Sequence, residues 1–237
     1  MAGLVYQEGR RIEKPGQLLE KNEDIVVKEA LPFVSRAGMK LDEVLESFGI
    51  SVAGKIAVDL GVSTGGFTDC LLQRGAAKVY AVDVDIKQVD WNLSKDPRLI
   101  LIRKNARYLD KRDFPEIPDI VTMDLSFISV LKVLPAVKSF MGEGRLICLI
   151  KPQFEVGREK VGKKGLVKDS SLHRDVLIEI LRKAGEMGFS MLGLMKPSVR
   201  GRKGNQEFFV LWTLSGESFD PVRIEIKVKE IVRDETD

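Results

Sequence analysis

Ile56-Ala-Val-Asp-Leu-Gly-Val-Ser-Thr-Gly-Gly-Phe67 decides the fold. Small and β-branched apolar residues carry Asp59 and stop at Gly61, and an apolar helix-like run, Phe67 to Leu72, follows. This is the pattern of a buried strand, a tight loop and a helix N-terminus. Gly61, Gly65 and Gly66 let the backbone bend sharply and let a ligand come close, and the helix start offers unpaired N–H groups. Asp59 adds a negative charge at the strand tip. A pyrophosphate would be repelled there and an ammonium-bearing ligand attracted, which favours S-adenosylmethionine over a dinucleotide.

The glycine spacing departs from the dinucleotide pattern G-x-G-x-x-G. Gly61-Val-Ser63-Thr-Gly65 also fits the G-x-S-x-G elbow of α/β hydrolases, with His173 downstream. However, Ser171-Leu-His-Arg-Asp-Val-Leu-Ile178 reads as a helix start, not as a loop after a last strand. The elbow would also fall on what reads as the first strand of the sheet.

The chain has 237 residues, 44% hydrophobic and 31% charged, enough for one well-packed α/β domain plus an appendage. Its net charge of +3 argues only weakly for a polyanionic partner. Cys70 and Cys148 lie in apolar runs without metal-ligand spacing, and read as buried thiols of a reducing cytoplasm. No apolar run approaches the roughly 18 residues of a membrane span. The N-terminus has no basic segment leading into an apolar core, so no signal peptide is expected.

Residues 1–30 hold short strand-like pieces, Leu4–Tyr6, Gly9–Gly16 and Asp24–Lys28, too little to bury a core alone. Lys40 to Phe48 reads as an amphipathic helix, with Met39, Leu41, Val44, Leu45 and Phe48 on one face. Strands are expected at Ile56–Asp59, Lys78–Asp83, Leu99–Arg103, Asp119–Asp124, Arg145–Ile150, Met191–Met195 and Glu207–Thr213, with a helix at Arg174–Met187. Strands alternating with helical stretches indicate an α/β fold, a mostly parallel seven-stranded sheet with helices on both faces. Ligands of such sheets bind outside the strands' carboxyl ends. That rule gathers Asp59, Asp83, Asn105, Asp124 and Lys151 on one rim, with Asp83 placed to hold a ribose. Residues 216–237 read as a final strand or a loose tail, with Val222, Ile224, Ile226 and Val228 alternating.

Lys151 follows an apolar strand and precedes Pro152, a position for an ion pair with a strand-tip acid or for a base near Asp124. Pattern alone does not select Lys40 or Glu207. Arg158, Lys160, Lys163, Lys164 and Lys168 crowd one glycine-rich loop, and Arg200, Arg202 and Lys203 a second. Both loops would flank the rim. They read either as solvated loops or as a surface for phosphates.

Five stretches resemble the TlyA (haemolysin A-like) branch of the FtsJ-type ribose methyltransferases: Arg36–Leu41, Asp59–Cys70, Met123–Ser129, Leu149–Glu155 and Gly204–Phe208. The resemblance runs from about residue 30 to about 214, and Lys151-Pro-Gln-Phe-Glu-Val-Gly-Arg-Glu-Lys-Val-Gly162 is its most specific stretch. It implies a Rossmann-like S-adenosylmethionine-dependent methyltransferase fold over 31–214 and a C-terminal extension over 215–237. Residues 1–30 would be the remainder of a small RNA-binding domain, most of it lacking.

The resemblance further implies transfer of a methyl group to the 2′-hydroxyl of cytidines in ribosomal RNA. The family's Lys-Asp-Lys-Glu tetrad falls on Lys40, Asp124, Lys151 and Glu207. The donor would lie against Asp59, Gly61, Ser63, Thr64, Gly65, Gly66, Phe67, Asp83, Asn105 and Asp124, and RNA against Arg158, Lys160, Lys163, Lys164, Arg200, Arg202 and Lys203. The expected partner is ribosomal RNA or a ribosomal subunit, in the cytoplasm, with no metal. The family has also been linked to haemolysis, for which the sequence offers no membrane segment. A non-catalytic RNA- or ribosome-binding module and a small-molecule methyltransferase are the other readings.

Overall fold

The computed structural model describes residues 5–7, 10–11, 25–27, 31–162, 165–201, 204–216 and 221–232. The chain divides into two compact units, Met1–Pro32 and Phe33–Asp237. In the first, β1 (Val5–Gln7) pairs antiparallel with both β2 (Arg10–Arg11) and β3 (Ile25–Val27).

The second unit begins with α1 (Arg36–Ser47), capped by the Ser35 hydroxyl accepting from Ala37 N–H. There follow β4 (Ile56–Leu60), α2 (Gly66–Gln73), β5 (Lys78–Asp83), β6 (Leu99–Arg103), β7 (Ile120–Met123) and α3 (Leu134–Phe140). Then come β8 (Arg145–Ile150), α4 (Pro152–Glu155), α5 (Ser170–Glu186), β9 (Ser190–Met195), β10 (Phe208–Thr213) and α6 (Pro221–Ile231).

The seven strands from β4 onward form one sheet in the order β6-β5-β4-β7-β8-β10-β9. The first five are parallel, and β10 runs antiparallel to both β8 and β9. A period of two sorts the strands' apolar residues onto two faces. Leu146, Cys148, Ile150, Phe208, Val210 and Trp212 join the core under α3, α5 and α6. Ile147, Leu149, Phe209 and Leu211 join the core under α1 and α2. Burial on both faces is why these strands read as unbroken apolar runs.

The described part of the C-terminal segment is neither strand nor loose tail. Residues 221–231 form a helix, and Ile224, Val228 and Val232 enter the core while Val222 and Ile226 stay exposed. Apolar residues at every second position also contain an i, i+4, i+8 stripe, and packing on α5 and β9 selects it.

The chain leaves β4 toward β5 and β6 on one side, then returns to β7 and β8 on the other. The crevice at this switch lies between the ends of β4 and β7. Asp124 N–H donates to the Leu60 carbonyl there. Gly61 has φ +91°, and a Cβ on it would stand 2.5 Å from the Asp124 carbonyl oxygen, so the crossing requires glycine.

Candidate active site

A cleft of about 1220 Å³ opens over this switch point. Gly61, Ser63, Thr64, Gly66, Asp83 and Asn105 line it, and so do Lys40, Asp124, Lys151 and Glu207. The volume exceeds the usual range of one small-molecule site and leaves room for a second reactant.

Two ion pairs organise the tetrad. Lys40, from α1, sets its Nζ 2.5 Å from Glu207 Oε2 at the start of β10, and both side chains are buried. Lys151, at the end of β8, sets its Nζ 2.5 Å from Asp124 Oδ1 at the end of β7. That second contact is not aligned as a hydrogen bond, and Asp124 Oδ1 has no hydrogen-bond partner among the described residues. Lys151 donates instead to Ser126 Oγ at 3.1 Å. Its ammonium carries three donors, so it can serve a further acceptor in the cleft.

Two of the cofactor-loop residues, Asp59 and Gly65, take different places from those the sequence suggests. Asp59 is not on the rim. It is fully buried inside β4, accepting from the Thr68 and Thr122 hydroxyls at 2.7 and 2.9 Å. Burial pushes its carboxyl up to about 6 against those two hydrogen bonds, with Asp124 adding to the rise. Asp59 therefore clamps α2 and β7 to β4 from beneath the loop.

The loop's N–H groups are largely committed within the chain. Gly61 and Val62 donate to the Val82 carbonyl, Ser63 to Asp83 Oδ2 and Gly65 to the Val62 carbonyl. The Cβ space at Gly66 is filled by the Ser35 hydroxyl, so that glycine serves close packing of α2 against α1. Gly65, at φ +99°, caps α2 and does not line the cleft. Phe67 lines the cleft but is only 3% exposed, its ring stacking on Phe209 in the core.

Asp83 does sit at the tip of β5 on the cleft wall, and its other carboxylate oxygen accepts from Asp85 N–H. Asn105 lines the same wall and caps the turn after β6 by accepting from Arg107 N–H.

Of the basic residues, Lys160 and Arg200 are exposed, and Arg200 lines the cleft. Arg158 opens a 3-10 turn, Arg158–Lys160. Lys163, Lys164, Arg202 and Lys203 lie outside the described residues. Asn205 ties the two loops together: its Oδ1 accepts from Val167 N–H and its Nδ2 donates to the Gly165 carbonyl.

Sequence reasoning missed Arg36, Arg107 and Lys132, three exposed cations on the same cleft. It also missed Phe127. This residue is 89% exposed, lines the cleft and holds φ +65°, a conformation rare for an aromatic residue. Its ring lies 4.9 Å from that of Phe154.

His173 offers nothing to a hydrolase. It is buried on α5, its Nε2 lies 3.0 Å from the Val167 carbonyl and its ring meets Phe208. It does not line the cleft that Ser63 lines. Burial holds its imidazole below the ordinary range. Cys70 and Cys148 are buried and unpaired. Among the described residues no helix is long and apolar enough to cross a membrane.

Residues 33–213 match the family described as FtsJ-like methyltransferase. A Bacillus subtilis protein provisionally named rRNA methyltransferase YqxC is 41% identical over 237 residues, 98% of this chain and 84% of its own length. The 16S/23S rRNA (cytidine-2′-O)-methyltransferase TlyA of Mycobacterium tuberculosis is 40% identical over 215 residues, covering 89% of this chain and 80% of that one. A solved structure from Streptococcus thermophilus, provisionally named a hemolysin, superposes with a TM-score of 0.80 at 40% identity, over 97% of this chain and 86% of that one. The switch-point cleft, its paired lysines and acids, and these relatives agree: the chain belongs to the FtsJ-like methyltransferase family, in its TlyA (haemolysin A-like) branch.

Proposed function

We propose that this protein transfers a methyl group from S-adenosylmethionine to the ribose 2′-hydroxyl of a cytidine in ribosomal RNA, in the cytoplasm. One observation carries the reading: the Lys151–Asp124 and Lys40–Glu207 pairs line the same cleft as the glycine loop and Asp83. The M. tuberculosis relative's name specifies the cytidine 2′-oxygen and ribosomal RNA.

The cleft's residues suit the donor. Asp83 offers carboxylate oxygens at a β-strand tip, where a ribose is held in doubly wound folds. Asn105 stands beside it, and Gly61, Ser63, Thr64 and Gly66 would border the rest. The bound donor supplies an electrophilic methyl group, which needs no further activation.

The chain's own residues handle the nucleophile. Lys151 first gives up one ammonium proton to solvent; its amine then orients the ribose hydroxyl and accepts that hydroxyl's proton as the oxygen–methyl bond forms and the methyl–sulfur bond breaks, which restores the ammonium. Asp124 fixes the Lys151 ammonium at one end. The buried Lys40–Glu207 pair anchors α1 and β10 on either side of the place for the ribose. Much of the rate comes from holding the hydroxyl in line with the methyl group.

Phe127 presents an exposed ring face on which a base turned out of its stack can lie. Arg200, Arg107 and Lys132 on the cleft, with Lys160 beyond it, serve phosphates without choosing sequence. The Met1–Pro32 unit adds RNA contact, as the resemblance of its sequence implies.

The test is incubation with labelled S-adenosylmethionine and separated ribosomal subunits, followed by mapping of 2′-O-methylated positions. The expected result is a discrete methylated cytidine. Label found only on bases or protein would overturn the assignment.

A further inference from the structure

Phe127 poses a problem that the tetrad does not solve. A non-glycine residue at φ +65° is strained and persists only where its surroundings over-determine it, and this ring is left almost wholly in solvent. Something must hold the segment. Three contacts do, and all reach from the stretch that begins with the catalytic lysine. Lys151 Nζ donates to Ser126 Oγ at 3.1 Å. Phe154 meets the Phe127 ring. Glu155 Oε1 accepts from Val130 N–H at 2.9 Å. The first two involve groups that meet the reactants and would shift as these come and go. The third grips the backbone itself, from a residue that also lines the cleft.

We propose that Glu155 is a positioning residue: its carboxylate latches the segment Leu125–Val130 to the short helix after Lys151, and so holds Phe127 and Ser126 in place for the target nucleotide. The inference rests on the methyl-transfer reading above. What the latch requires is a hydrogen-bond acceptor, not a charge. Burial raises the Glu155 carboxyl, while Ser129 and Val130 N–H oppose that rise. A glutamine can therefore take its place.

The experiment compares Glu155→Gln, Glu155→Ala and Val130→Pro in the full chain. Val130 opens a 3-10 turn and Ser129 before it is extended, so proline suits the backbone there; it deletes the donated N–H and also replaces a buried side chain, so melting temperature is read alongside. Hydrogen exchange of residues 125–131 in the donor-free protein is read beside kcat and KM for ribosomal RNA and the donor Kd.

In E155A and V130P, exchange in this segment should quicken about tenfold or more, and kcat/KM for RNA should fall by a similar factor, with donor Kd within about twofold. E155Q should stay within about threefold of the parent on every count. The proposal is overturned if E155Q is as impaired as E155A, if V130P keeps the parent's exchange and kinetics, or if donor affinity falls in step with methyl transfer. A parent protein that methylates no ribosomal RNA would refute the functional reading, and the exchange arm would still decide the latch.

Discussion

Lys40 and Glu207 are 167 residues apart in sequence, and their charged atoms lie 2.5 Å apart in a buried pair. Removing one partner strands the other charge away from water, which costs about 3–5 kcal/mol. Lys40→Met and Glu207→Gln should each lower stability in urea by an amount of that order. The double variant should recover most of the stability and none of the methyl transfer. Recovery of activity would show that the pair only fills space.

Asp59 makes stability depend on pH. Its carboxyl titrates at about 6 in the folded chain against an ordinary value of 3.8. The native state thus holds the proton more tightly than the unfolded chain. Stability from this group is full below about pH 4 and is lost as pH rises to about 6, a cost on the order of 3 kcal/mol at neutrality. Asp59→Asn keeps an acceptor oxygen for the Thr68 or Thr122 hydroxyl. It should unfold at higher urea at pH 7 than the parent, with a flatter profile between pH 4 and 6. An unchanged slope would place the titration elsewhere.

The cleft cations bear on salt dependence. Removing the charge of Arg200 or Lys160 should weaken RNA binding on any sequence. The slope of log affinity against log salt should become shallower by about one for each phosphate left without its cation. An unchanged slope would remove that residue from the RNA path.

His173 separates an enzyme of this family from a serine hydrolase. His173→Gln retains a nitrogen able to donate to the Val167 carbonyl. It should keep methyl transfer within about threefold of the parent if the protein is folded, since the side chain lies outside the cleft. Loss of transfer with an unchanged melting temperature would contradict this.

Most of the sheet is legible in the sequence, because strands buried on both faces are continuous apolar runs between turn residues. Lys78–Asp83 and Arg145–Ile150 are such strands over those residues; Leu99–Arg103 is a strand there too, at the sheet edge and only partly buried. The site is legible only in part. Lys40 looks like any helix lysine, and nothing local marks its partner on β10; only the family resemblance selects both. Asp59 misleads because a strand-end acid can face a ligand or the interior, and the threonines that turn it inward come from α2 and β7. Phe127 is invisible because nothing in Leu125-Ser-Phe-Ile128 itself marks an exposed ring or a positive φ. The α6 stripe hides inside an alternation that suits a strand equally well.

The central claim is that Lys151 acts on the nucleophile and not on the donor. It is tested most directly by measuring donor affinity and single-turnover methyl transfer to ribosomal subunits side by side for Lys151→Ala. The structure predicts a donor Kd within about threefold of the parent and transfer reduced by about a hundredfold or more. Equal loss of both would contradict the role assigned to Lys151.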